Sequence, residues 1–195
     1  MAAHPLTRVE VCAGAGGGLL GAALAGGQRP VLYVENEPAC VEILKARIRD
    51  GLLDDAPIWD DLKTVEWRCW RGCVDLLIGG VPCQGWSPAG KRLGPDDERN
   101  LLPHFLRAVR EVRPLLCGLE NSPGLLGGVR SKARGYFGFV LGQLAGLGYD
   151  AAWTCLRASA VGAPHERNRL WLLAWDRERA AALPDAVRGQ LRIES

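Results

Sequence analysis

Short apolar runs alternate with helix-like stretches along this chain, and that alternation constrains its fold more than any other feature. Residues 8 to 12, Arg-Val-Glu-Val-Cys, read as a first strand, followed by glycines and a small-residue helix from about Leu19 to Ala25. Residues 31 to 35 read as a second strand, and 39 to 49 as a helix with Val41, Leu44 and Ile48 on one face. A strand at 74 to 78, an amphipathic helix at 101 to 112 stopped near Pro114 and a buried strand at 115 to 120 follow. A helix at 137 to 147 and two strands, 149 to 157 and 170 to 175, complete the series. The pattern predicts an α/β fold, a mostly parallel sheet with helices on both faces.

At 195 residues the chain is most economically one domain, long enough to bury about 70% of its unfolded surface. Residues 1–176 are expected to form it, with 177–195 a helical tail that docks or frays. Seven cysteines, an odd number scattered through apolar stretches, and the lack of a hydrophobic leader predict a reduced, cytoplasmic protein. Cys69 and Cys73 lie four apart without a second pair at a zinc spacing, and His4, His104 and His165 are isolated, so no metal site is expected. No run of about 18 apolar residues exists to span a membrane. The net charge of +2 excludes little, but its distribution is uneven. Residues 1–100 carry 11 Lys/Arg against 14 Asp/Glu, and 101–195 carry 13 against 8, so a polyanion would meet mainly the second half.

Three loops carry the candidate chemistry. Ala13-Gly14-Ala15-Gly16-Gly17-Gly18 turns tightly after the first strand and lets backbone approach a ligand; Leu19 stands where a dinucleotide fingerprint needs its third glycine. A plain tight turn is the alternative. Glu35 ends the second strand 21 residues after Gly14, where a carboxylate can accept from two ribose hydroxyls. Asp61 is placed either to accept from an adenine amino group or to cap a helix. The second loop, residues 79–92, puts Cys83 directly after an apolar strand, with Pro82, Gln84, Ser87, Lys91 and Arg92 around it. A thiol there, close to two cations, suits a nucleophile delivered to a polyanion better than a structural core cysteine. Glu120-Asn121 leaves the next strand, so Glu120 and Cys83 can open onto one crevice, the carboxyl serving as general acid where desolvation raises its pKa. Third, Arg167 and Arg169 precede the last strand two residues apart and can hold a carbonyl or a phosphate, with a solvated edge as the alternative.

In combination these residues resemble the DNA cytosine-5 methyltransferases, especially short phage-type ones, across essentially the whole chain. The resemblance rests on residues 13–17, Glu35, Asp61, Pro82-Cys83-Gln84, Glu120-Asn121 and His165-Glu-Arg167-Asn-Arg169. It implies a Rossmann-like S-adenosylmethionine-dependent methyltransferase fold, with DNA as partner. Ala13, Gly14, Gly16, Gly17, Glu35, Asn36, Asp61, Leu62 and Pro82 would bind the cofactor, and Gln84, Ser87, Lys91 and Arg92 the nucleic acid. Cys83 would add to C6 of a cytosine flipped from the duplex, with Glu120 on N3 and the exocyclic amine and both arginines on the O2 side. C5 would then attack the cofactor's methyl, and loss of the C5 proton with elimination of Cys83 would regenerate the enzyme.

The chain departs from the family pattern at several points. Cys12 stands where the family usually has Phe against the adenine, Gly85-Trp86 replaces Pro-Phe, Ser122 replaces Val, and His165 replaces Gln. Family members normally continue with a target-recognition domain, whereas about 20 residues follow the last predicted strand here. The expectation is therefore weak, salt-sensitive DNA binding unless a partner chain or homodimer supplies the second wall. An RNA (tRNA) cytosine-5 methyltransferase and a non-catalytic cofactor-binding subunit are the alternatives.

Overall fold

The computed structural model describes residues 5–18, 21, 26, 28–82, 99–127 and 135–181. These form a seven-stranded sheet of β1 (Leu6–Val11), β2 (Gln28–Val34), β3 (Ile58–Trp59), β4 (Leu76–Gly79), β5 (Leu116–Asn121), β6 (Tyr149–Arg157) and β7 (Asn168–Asp176), in the order β3-β2-β1-β4-β5-β7-β6. The first five strands pair in parallel, and β7 runs antiparallel between β5 and β6. The predicted strands are all present, with shifted edges. β2 starts at Gln28 because Gln28 and Arg29 pair with Leu6 and Thr7. β4 starts two residues late because the Asp75 carboxylate accepts from the Thr7 amide and hydroxyl, both at 2.9 Å.

Side chains alternate between faces along a strand, and here the two faces are covered differently. Val9, Val11, Leu32, Leu77, Leu119, Leu170 and Leu172 share one face and one buried cluster with Phe105 and Val109 of α2 (Leu102–Val112). The same cluster takes Val140 and Leu144 of α4 (Tyr136–Gly146), which follows the short α3 (Gly124–Gly127), together with Trp67 of a 3₁₀ turn at Trp67–Trp70. That turn has no counterpart in the sequence pattern. On the opposite face, Leu44 of α1 (Pro38–Arg49) packs against Tyr33, Ala13 and Ala56 over β1 and β2. Over β4, β5, β7 and β6 the described residues leave that face open: Ile78, Gly118, Leu173 and Ala152 are half-buried, and Trp171 and Leu156 are each 47% exposed.

Below the sheet, Arg113 ends α2 in the left-handed region, φ 56°, which disfavours residues with a Cβ. Its guanidinium bonds Asp176 at 3.2 Å, donates to the Leu147 carbonyl and lies 5.3 Å from the centre of the Tyr149 ring, so three contacts offset the strain. Of the predicted tail, Arg177–Ala181 forms a short helix, α5, and residues 182–195 lie outside the description. Among the described residues no helix is long and apolar enough to cross a membrane.

Candidate active site

From β1 the chain winds outward through β2 and β3 and then returns to the other side of β1 as β4, so the strand order reverses between β1 and β4. A crevice forms at the carboxyl ends of strands at such a point. The glycine loop lies on its rim. Cys12, Gly14 and Gly16 have φ of 54°, 56° and 87°, and these left-handed residues fold the loop back so that the Gly16 amide reaches the Ala13 carbonyl at 3.0 Å. Gly18 answers to a different constraint. A Cβ there would collide with Glu10 Oε1, so any side chain would displace the Glu10 carboxyl.

Glu35 fixes the first half of the crevice. It is 7% exposed, and its carboxylate accepts from the Gly14 amide at 2.6 Å and the Glu37 amide at 2.8 Å, which ties the glycine loop to the end of β2. A carboxylate has about four acceptor sites, so Glu35 keeps capacity for a ligand. It lines a cavity of about 300 Å³ with Asn36, Asp61, Leu62, Pro82 and Cys12. Asp61 Oδ1 also accepts from the Lys63 amide at 2.8 Å, so Asp61 caps a turn on the cavity wall.

A second cavity, about 530 Å³, opens where β1, β4, β5 and β7 meet, lined by Glu10, Ala13, Gly17, Gly80, Glu120, Arg167, Arg169 and Trp171. β4 and β5 are neighbours, and Glu120 points from the end of β5 towards Gly80 after β4. Glu120 and Trp171 are cross-strand partners, and Arg169, two residues from Trp171, stands on the same face. Arg169 Nε meets Glu120 Oε1 at 2.9 Å. The geometry is a carboxylate with an arginine against it and a second arginine on the wall, suited to a ligand that offers donors and an acceptor side by side. Cys12 lines both cavities and joins them.

The scan against family models matches residues 6–190 to the C-5 cytosine-specific DNA methylases. This chain belongs to that family. It is 38% identical over 172 residues to the Type II methyltransferase M.NgoMIV of Neisseria gonorrhoeae, covering 88% of this chain and 52% of the relative. It is 31% identical over 190 residues to the Type II methyltransferase M.AquIA of Picosynechococcus, covering 93% and 76%. A solved structure described as a prophage-encoded DNA modification methyltransferase of Escherichia coli superposes with a TM-score of 0.70 at 28% identity, covering 93% of this chain and 50% of that one. The chain thus spans about half the length of that structure and of the Neisseria relative.

Against the family pattern, the fold gathers Glu120, Arg167 and Arg169 on one cavity and Glu35, Asn36, Asp61, Leu62 and Pro82 on the other. Ala13 and Gly17 line the larger cavity, while Gly14 and Gly16 shape the loop. Cys83, Gln84, Ser87, Lys91 and Arg92 lie outside the described residues. Glu10 escaped the sequence reading, and Asn121 was named there only alongside Glu120, with no role of its own. Glu10 is 4% exposed, its Oε2 has no hydrogen-bond partner, and burial pushes its carboxyl up to about 7 although Arg8 beside it pulls the other way. A carboxylate between the two apolar residues Val9 and Val11 of the first strand was the available signal. Asn121, fully buried, donates from Nδ2 to the Val81 carbonyl at 3.2 Å and accepts from the Ser122 amide, pinning the chain two residues before Cys83.

Proposed function

We propose that this chain catalyses cytosine-5 methylation of DNA with S-adenosylmethionine, through Cys83, Glu120, Arg167 and Arg169. The observation that carries this reading is the Glu120–Arg169 pair lining a cavity next to the strand that leads to Cys83, in a chain of this family. The cofactor fits the neighbouring groups: Glu35 has acceptor capacity for ribose hydroxyls, Asp61 for an adenine amino group, and the orphaned Glu10 Oε2 for an ammonium. Asn36, Leu62 and Pro82 would wall the adenosine, with Ala13, Gly14, Gly16 and Gly17 around the methionine part. Bound there, the cofactor supplies a methyl group made electrophilic by its sulfonium.

The chain's own groups would act on the base. The cytosine must leave the duplex, at about a few kcal/mol, because neither face of C5 or C6 is reachable in the stack. The Cys83 thiolate forms a bond to C6, and Glu120 holds N3 and the exocyclic amine while negative charge develops on the ring. Arg169, itself oriented by Glu120, and Arg167 would stabilise the O2 side. After methylation, loss of the C5 proton lets the C5–C6 double bond re-form and expels Cys83. Gln84, Ser87, Lys91 and Arg92 are proposed to contact the DNA.

Duplex DNA containing 5-fluorocytosine, incubated with the chain and S-adenosylmethionine, tests this. Fluorine cannot leave as a proton does, so a covalent adduct should appear on a denaturing gel and disappear in Cys83→Ala, with no adduct on tRNA carrying the same base. An adduct retained in Cys83→Ala would remove the nucleophile assignment.

A further inference from the structure

The outer wall of the larger cavity carries a third arginine that the methyl-transfer reading leaves without a task. Arg157 closes β6, the last strand in the sheet order, opposite Asn168, and lines the same cavity as Glu120, Arg167 and Arg169. From Thr154 to Arg169 the chain holds three arginines against one acid, Glu166. Arg169 is engaged by Glu120 at 2.9 Å. Arg157 Nη1 stands 3.6 Å from Glu166 Oε2, beyond hydrogen-bonding distance, and the two side chains are 65% and 75% exposed. An exposed pair that loose contributes little and yields to an anion that a guanidinium can grip through two N–H groups.

The neck between the two strands holds Arg157 in place. The Ala158 amide donates to the Glu166 and Arg167 carbonyls at 3.1 and 3.3 Å, the Ala163 amide to the Ala158 carbonyl at 3.1 Å, and the Gly162 amide to the Ser159 carbonyl at 3.2 Å. Arg157 and Arg167 thus flank one closed turn, beside the cavity proposed to take the base. A nucleotide whose base fills that cavity keeps its phosphates at the mouth, because base and phosphate are joined through a single sugar. We propose that Arg157 binds a backbone phosphate of the DNA strand carrying the target cytosine, exchanging Glu166 for the phosphate as the strand docks. The inference rests on the DNA reading above and adds to it a contact that sets register without reading sequence.

Anisotropy of a labelled duplex titrated with the full chain over a series of sodium chloride concentrations tests it. Arg157→Gln should weaken binding about fivefold at low salt and reduce the slope of log K against log salt by about 0.9, the value for one phosphate. Arg157→Lys should retain most of the slope. Glu166→Gln should act in the opposite direction and strengthen binding about twofold, since it removes a competing anion beside the phosphate. If the pair only staples the hairpin, breaking it from either side would shift affinity in the same direction. That result, or an unchanged slope in Arg157→Gln, would overturn the inference and leave the DNA reading standing. No binding of duplex by the unmodified chain at low salt would overturn both.

Discussion

One residue apart on the same strand, Leu172 is 3% exposed and Trp171 47%; Leu119, on the covered face of β5, is 1% exposed. Along residues 170–175 the difference between the two faces lies in what packs on them, since Leu170, Leu172 and Ala174 on one side and Trp171, Leu173 and Trp175 on the other are all apolar. α2, α4 and Trp67 close one face into a core, whereas the described residues leave the other open over four strands. The covered face holds the strands together. The open face carries Glu120, Arg169 and Trp171, which line the larger cavity at its upper end, and the first two are the groups proposed to meet the base. Stability and chemistry are thus divided between the two sides of the same strands.

Matched truncations are the strongest way to break this comparison. Leu119→Ala should destabilise the chain by about 2–5 kcal/mol in urea denaturation, and Leu156→Ala, half exposed, by less than about 1 kcal/mol. Equal costs would mean the two faces are equally packed in solution.

Glu10 sharpens the comparison, because it is a buried charge-bearing group on the reactive side. Its folded pKa of about 7 lies above the 4.5 of an ordinary glutamate, so the folded state holds the proton more tightly. Its contribution favours folding below pH 4.5 and is lost as pH rises through about 7. Glu10→Gln should remove that dependence and leave the variant more stable than wild type above pH 7, by on the order of 3 kcal/mol. S-adenosylmethionine should bind wild type more tightly as pH rises across this window and bind the variant with a flat profile; a wild-type affinity independent of pH would separate Glu10 from the ammonium.

A smaller effect than that of Leu119 belongs to Asn121, whose side chain ties the end of β5 to the segment after β4. Asn121→Ala leaves the buried Val81 carbonyl without its donor and should cost about 1–3 kcal/mol, read by thermal unfolding, with a lower rate of adduct formation on 5-fluorocytosine DNA. A rate unchanged by the loss would show that the Val81 bond does not order the cysteine loop.

How much of this was legible beforehand follows from the kind of information involved. Runs such as residues 115 to 120 and 149 to 157 predicted strands because a two-residue period is local, and their boundaries shifted only where a distant partner intervened, as Asp75 does with Thr7. Glu35, Glu120 and the arginine pair could be singled out because polar residues at the ends of apolar runs are conspicuous. Trp67 could not be placed, since an aromatic residue outside any periodic stretch gives no direction. Glu10 was passed over because its importance comes from Gly18 lying against it and from the absence of a hydrogen-bond partner for Oε2, whose nearest charge, Arg8 Nε, stands 3.8 Å away.

By itself, the sequence determined the order of strands and helices, the glycine loop and the set of residues from which the chemistry is drawn, all of which depend on neighbours in the chain. Only the tertiary structure decided that β7 inserts antiparallel between β5 and β6, which brings Arg169 to 2.9 Å from Glu120, and that one face of those strands is covered while the other is open. Those outcomes depend on which elements pack together across the sheet, and an apolar residue carries no mark of the side from which its cover will come.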